Sequence, residues 1–403
     1  MVETTQAAST PLEPLPAEQP ATKRLRVAYI VCRFDVGGLE RVAAHLVNGL
    51  DRSMFEPFIF CLERTGSAEH WLSNDQTRII ELNKRAGNDP KVVIRLAAAL
   101  RENHIDVAHS HNWGTLVETT LARRLARTPV HLHAEHGQEL DSLQAGGLRR
   151  VLRNAATRWA LKRANAVVVC AESVRLRIHE RCKFPGDDML CIPNGVDVPS
   201  HATASDELRS RIGIGDDALV LGSLSRLVPV KDFSTAVEMM QHLRGGRPAI
   251  HLVLVGDGPE EKLLRDRAAD LDVAERVHFV GRQENIADWL GMFDIYLNSS
   301  LSEALSMGLL EAMSLGLPCL VTDVGDHAAV VGGDSPCGLA VPAGSPQQLA
   351  RAVTSLVQNK ELRHDLGCEA RKRYAEFYTT ERMVTDYASL YRRLHSAKMA
   401  RRS

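Results

Sequence analysis

The chain has 403 residues, 44 % of them hydrophobic and 25 % charged, with a formal net charge of −1. That length exceeds one ordinary core and suits two domains, and the composition excludes a fibrous or wholly disordered chain. No apolar run approaches the ~20 residues of a membrane-spanning helix.

The first 22 residues are rich in Pro, Ala, Thr and Glu, with neither a basic start nor an apolar stretch. They read as part of a disordered tail, residues 1–24, and not as a signal peptide. Short β-branched runs then alternate with helical stretches, as in parallel α/β folds. Strands are expected at 26–32, 55–62, 106–111, 130–136, 166–173 and 189–195, with helices at 38–50, 90–103, 115–126 and 148–163. The small, polar stretch 199–206 reads as a linker. A second series has strands at 218–225, 251–258, 277–281, 295–300 and 318–323, and helices at 233–243, 259–270, 286–292, 307–315 and 346–359. Two doubly wound domains follow, 25–198 and 207–379, and residues 380–403 form a last helix and basic tail whose domain stays open.

The eight cysteines are scattered without a C-x-x-C pair, which suits a reduced cytoplasmic protein and no zinc site. Residues 21–200 carry 26 Lys and Arg against 20 Asp and Glu, a mild basic excess that hints at an anionic partner. Nothing points to nucleic acid.

Ligands of such sheets bind at the C-terminal strand ends, so the residues just after each apolar run carry the function. After the first strand, Gly37 and Gly38 open a helix, either as a tight turn or as a place for backbone N–H groups to meet a phosphate or sugar. Gly256 and Gly258 resemble a dinucleotide fingerprint but lack its third glycine. Arg226 and Lys231 precede a helix: with its N-terminus they suit a diphosphate, and otherwise they are solvated loop cations. Glu303 lies in a loop, Ser306 is a plausible N-cap, and Glu311 falls at the edge of a buried helix face. A carboxylate there needs a partner such as ribose hydroxyls, unless it simply faces solvent.

Together, Gly37–Gly38, EHG at 135–137, IPNGVD at 192–197, Arg226 with Lys231, VGDGPE at 255–260, FVG at 279–281, and Glu303 with Glu311 stand in the order of family 4 glycosyltransferases. The chain resembles that family over residues 25–390, and RFDVGGLE with AEHG looks more narrowly like the bacterial exopolysaccharide-type sugar transferases. The resemblance implies the GT-B fold, two facing Rossmann-like domains with an interdomain cleft. It implies a retaining enzyme that moves a sugar from a nucleotide-diphosphate donor to a glycan or lipid-linked acceptor, in cell-surface polysaccharide or glycolipid assembly, with no cofactor. Arg226 and Lys231 would bind the donor diphosphate, Glu311 the ribose and Glu303 the transferred sugar. His136 would lie near the reaction centre, and Gly37 and Gly38 would line the cleft. Ala304 stands where the family usually has Gly, which matters if that position needs a positive φ.

A nucleotide-sugar epimerase of the same fold and a non-catalytic nucleotide-sugar-binding protein are the rivals. An NAD dehydrogenase is more distant, because the dinucleotide fingerprint is incomplete. Asp270 and Asp272 spell the D-x-D of another transferase fold but fall at a helix end, so no metal is expected. His109, His111, His131 and His133 alternate on strands without a partner set for a metal. The helix at 148–163 has one apolar face and many Arg and Lys, with no acid from 142 to 171. It fits either a scaffold helix with a solvated basic side or a peripheral contact with the anionic inner face of a membrane.

Overall fold

The computed structural model describes residues 23–401 apart from 74–76, 88, 138–146, 199–204 and 247. The tail expected at 1–24 lies outside the described residues up to position 22, and the linker does so from 199 to 204. The helix Ser205–Arg211 begins within the stretch read as linker.

The chain forms two compact units. One comprises the described residues up to Gly195 together with those from Thr380 onward. Its strands are β1 (Leu25–Val31), β2 (Phe55–Cys61), β3 (Arg78–Glu81), β4 (Val107–His111), β5 (Val130–Glu135), β6 (Ala166–Val169) and β7 (Met189–Cys191). They pair in parallel in the order β3-β2-β1-β4-β5-β6-β7. The other unit, Val196–Thr379, holds β8 (Leu219–Leu224), β9 (Ile250–Val255), β10 (Val277–Phe279), β11 (Ile295–Asn298), β12 (Cys319–Thr322) and β13 (Gly338–Val341). Its order is β10-β9-β8-β11-β12-β13, again all parallel. Each order reverses direction once, at β1/β4 and at β8/β11, which makes those two strand ends the natural ligand crevices of a doubly wound sheet.

The strand cores are apolar on both faces because helices cover both. Val27, Ala28, Ile30 and Val31 of β1, and Val220 and Leu221 of β8, are fully buried. The last helix, Thr380–Ala400, joins the first sheet's unit because of its spacing: Met383, Val384, Tyr387, Leu390 and Tyr391 recur on one face and all are buried. His109 of β4 bonds through Nδ1 to the Tyr391 hydroxyl at 2.8 Å, tying that helix to the sheet.

Among the described residues, the sequence reading missed two edge strands and four helices. β3 is four residues long with both ends exposed, and β13 starts on a glycine. The helix Glu172–Cys182 overlaps the end of the strand expected at 166–173, which stops at Val169. The helix Lys360–Phe377 buries little apolar surface and contains Gly367, where a Cβ would strike the Gly316 carbonyl. Ser205–Arg211 and His327–Val331 are too short for a periodic signal.

Candidate functional site

In the Val196–Thr379 unit, two loops leave the β8/β11 switch point side by side. Ser299 Oγ donates to the Lys231 carbonyl at 2.9 Å, and the Leu301 amide donates to the Val230 carbonyl at 2.8 Å. Asn298, at the end of β11, accepts the Ser300 amide at 3.0 Å and donates its side-chain amide to Ser306 Oγ at 3.3 Å. Ser306 in turn caps the helix Met307–Ser314, accepting from the Leu309 amide at 3.4 Å. The loop between these pins brings Glu303 against Lys231.

Lys231 Nζ donates to Glu303 Oε1, and Ser300 Oγ donates to the same oxygen at 3.0 Å. The pair is well shielded, with side chains 17 % and 13 % exposed. Burial alone would raise the Glu303 pKa, but the Lys231 charge, the neighbouring His327 and the two hydrogen bonds outweigh it and hold it below the ordinary value. Glu303 is therefore an anion at neutral pH. His327 is fully buried beside it; that burial, the largest cause, lowers its pKa while Glu303 pulls the other way. Sequence reasoning missed His327 and Ser300. The run Asn298–Ser299–Ser300 directly after an apolar strand was the signal available for the serine.

Arg226 is exposed on the loop after β8. The helix after Lys231 does not offer an open N-terminus: Asp232 caps it, accepting from Thr235 Oγ1 at 2.6 Å and the Thr235 amide at 3.4 Å. That cap weakens the expectation that this helix end attracts a phosphate, because a carboxylate already sits there. Glu311 is half-buried in the helix Met307–Ser314. Burial first, and then the charges of Glu303 and Glu311 among others, raise the Tyr296 hydroxyl above its usual range, so both glutamates act on one buried ring.

The glycines of VGDG serve the fold. Gly256 and Gly258 have φ of +141° and +158°, and a Cβ on either would collide with the Ser225 or Leu227 carbonyl. The Leu227 amide donates to the Asp257 carbonyl at 2.7 Å, so these glycines let the loop after β9 lie against the Arg226 loop. Ala304 is buried and is not among the residues of positive φ, so the methyl group in place of glycine strains no backbone. Asp272, of the D-x-D, pairs with Arg244 on the surface.

In the other unit, Gly37–Gly38, Asn112 and His136 follow β1, β4 and β5, adjacent strands around its switch point. Gly37 is extended, with φ −167°, and a Cβ there would meet only the movable end of Glu40. The His136 amide donates to Asn112 Oδ1 at 2.9 Å. Its ring donates from Nδ1 to Asn194 Oδ1 at 3.1 Å, which leaves Nε2 to accept from His111 Nδ1 at 3.0 Å. Burial pushes the His136 pKa down to about 4, against the Asn194 bond and with help from His133, so the ring is neutral at pH 7. The neighbouring histidines are engaged as well, His131 and His133 with Ser110 at 2.8 and 2.9 Å.

Comparison with known proteins matches two adjoining stretches of the sequence to glycosyltransferase family models. Residues 36–199 match Glycosyltransferase Family 4, and residues 204–373 match Glycosyl transferases group 1. The chain belongs to the family 4 glycosyltransferases. This glycosyltransferase is 27 % identical over 362 residues to the lipopolysaccharide core biosynthesis glycosyltransferase LpsE of Rhizobium meliloti, covering 88 % of this chain and 95 % of that one. It is 25 % identical over 319 residues to the UDP-Gal:alpha-D-GlcNAc-diphosphoundecaprenol alpha-1,3-galactosyltransferase of Escherichia coli, covering 76 % and 82 %. Among solved structures, HepE of Anabaena in complex with UDP superposes with a TM-score of 0.78 at 17 % identity, over 91 % of this chain and 99 % of that one. The fold is thus GT-B, two Rossmann-like domains, as the strand orders show.

Proposed function

We propose that this glycosyltransferase moves a hexose, with retention, from a nucleotide-diphosphate sugar to a glycan or lipid-linked acceptor in cell-surface polysaccharide or glycolipid assembly. The observation that carries the proposal is the shielded Lys231–Glu303–Ser300 cluster at the β8/β11 switch point, with Arg226 on the same loop as Lys231. The cations suit a diphosphate whose charge grows as it leaves. Glu303, ionised and fixed by two donors, suits the hydroxyls of the transferred sugar, and Glu311 those of the ribose. His136, neutral at pH 7 and held by His111 and Asn194, can lie against a sugar without adding charge, and Gly37 and Gly38 leave room for one. The solved HepE complex holds UDP, and the Escherichia coli relative uses a UDP-sugar and a lipid-linked acceptor, which supports this donor and acceptor class.

Arg226 and Lys231 can do for the leaving diphosphate what a divalent ion does elsewhere, and Asp272 is engaged by Arg244, so transfer proceeds without metal. The protein works in the cytoplasm at the inner face of the membrane, where the helix at 148–163 contacts anionic lipid. No described helix is long and apolar enough to cross the bilayer.

Thermal stabilisation by a panel of nucleotide sugars identifies the donor, and chromatography of nucleoside diphosphate release then tests transfer. Release that needs acceptor and survives a chelator is expected. Release without acceptor supports an epimerase instead, and activity lost to chelator and restored by manganese refutes metal independence.

A further inference from the structure

The helix Gly147–Leu161 turns the wrong face outward for a scaffold element. Leu148, Val151 and Leu152 are 72 %, 61 % and 61 % exposed, while its buried residues are Ala160 and Leu161. Its opposite side is anchored, with the Arg153 guanidinium 4.3 Å from the centre of the Trp113 ring. Leu148, Val151, Leu152, Ala155 and Trp159 follow the i, i+3, i+4, i+7 spacing of one stripe. An exposed apolar stripe of this kind marks an interaction surface.

Towards the helix C-terminus the same stripe enters a shallow hollow of about 530 Å³, wide open to solvent, that Ala155 and Trp159 help to line. The charged groups around it are Arg158, Lys162, Arg163, Arg181 and Lys183, and no carboxylate is among its described lining residues. Arg163 is held in place, stacked 4.5 Å from the Trp159 ring centre and donating to the Trp159 carbonyl at 3.0 Å. Five like charges around one concavity repel each other, and an anion seated there relieves that repulsion. A phosphate accepts several charge-assisted hydrogen bonds at once and fits such a fork of donors.

We propose that this hollow seats the phosphate headgroup of an anionic membrane lipid, with the Leu148–Val151–Leu152 stripe meeting the acyl region beside it. A soluble phosphate explains the cations but leaves the contiguous apolar stripe without a role; an anionic amphiphile uses both. The proposal rests on the peripheral-membrane reading above and adds a defined headgroup site to it.

Sedimentation of the full chain with phosphatidylcholine vesicles, with and without phosphatidylglycerol, separates the two. Wild type should bind the anionic vesicles and lose binding as salt rises. The Arg158→Gln, Lys162→Gln, Arg181→Gln variant should bind about 10²-fold more weakly, at ~1 kcal/mol per cation near the surface. A charge-matched control, Lys91→Gln, Arg124→Gln, Arg393→Gln, should lose less than about threefold, and Leu148→Ser, Leu152→Ser should also weaken binding. Unchanged thermal melting certifies the fold of each variant. Failure of wild type to bind sinks the membrane reading and this site together. Equal binding by the hollow variant, or equal loss by the control, overturns the site while leaving the membrane reading standing. Stabilisation by inorganic phosphate that the hollow variant abolishes, with vesicle binding indifferent to the stripe, makes it a soluble-phosphate site and overturns the lipid.

Discussion

Lys231 and Glu303 stand 72 positions apart in sequence and share a hydrogen bond, with Ser300 donating at 3.0 Å to the same carboxylate oxygen. Their side chains are largely withdrawn from water, so each neutralises a charge that would be costly alone. If a donor diphosphate recruits Lys231 as proposed, its hold on Glu303 should loosen and leave that carboxylate a better acceptor for sugar hydroxyls. On that reading, binding of the two halves of the donor would be coupled through one ion pair.

Lys231→Ala should cost about 3 kcal/mol of stability, because it strands the Glu303 charge. The double variant Lys231→Ala, Glu303→Ala should recover a large part of that loss. Denaturant unfolding of both singles and the double measures the coupling, and strictly additive effects would show that the pair contributes nothing. Transfer by Lys231→Ala should fall ~10²-fold or more, as when a charge-stabilising donor is removed.

Glu303 and Glu311 should separate kinetically. Glu311→Gln is expected to raise the donor KM about tenfold with kcat partly kept, since the ribose does not react. Glu303→Gln is expected to lower kcat ~10²-fold with nucleoside diphosphate binding preserved, and to relax sugar choice. The opposite pattern in steady-state kinetics and calorimetric binding would exchange the two roles.

Gly37 and Gly256 make a contrasting pair. Gly256→Ala meets the Ser225 carbonyl at a φ of +141° and should destabilise by about 2 kcal/mol. Gly37→Ala meets only the flexible end of Glu40 and should change stability by less than ~0.5 kcal/mol. If Gly37 leaves room for substrate, its alanine variant still loses activity, up to ~10²-fold for a displaced donor. A Gly37→Ala enzyme of full activity would reduce the glycine to a turn residue.

Acid should destabilise the unit that carries the buried histidines. His109, His111, His131 and His136 are all held below the ordinary imidazole value, burial being the largest cause in each. Between about 6.5, where an unfolded imidazole titrates, and about 4, where folded His136 does, the unfolded chain binds a proton that the folded one excludes. Stability from this source is complete above pH 6.5 and falls as pH drops towards 4, by up to ~1.4 kcal/mol per pH unit for each histidine. Glu303, whose pKa is depressed, adds a separate loss at still lower pH. Thermal melting from pH 7.5 to 5 should show the decline, with a shallower slope for His136→Gln; a flat profile would contradict the neutral, buried state of these rings.

Much of this was legible in the sequence because both of its signals are local. The alternation of apolar runs and helical stretches reports burial on the two faces of each strand, and it located eleven strands and two domains. The residues after those strands made Glu303, Lys231 and His136 candidates, since a doubly wound sheet collects its ligands there. Tertiary structure decided the rest, for reasons that act across long separations. β3 and β13 are edge strands of only four residues, too short for a run or an alternation to stand out from the sequence around them. The fold-required role of Gly256 and Gly258 depends on carbonyls some thirty residues away in the chain. The pairing of Lys231 with Glu303, the tautomer of His136 set by His111 and Asn194, and the exposure of Leu148 and Leu152 are likewise settled by which loops and helices lie side by side. Periodicity says that a helix has an apolar face; packing against neighbours alone determines whether that face is buried or meets solvent.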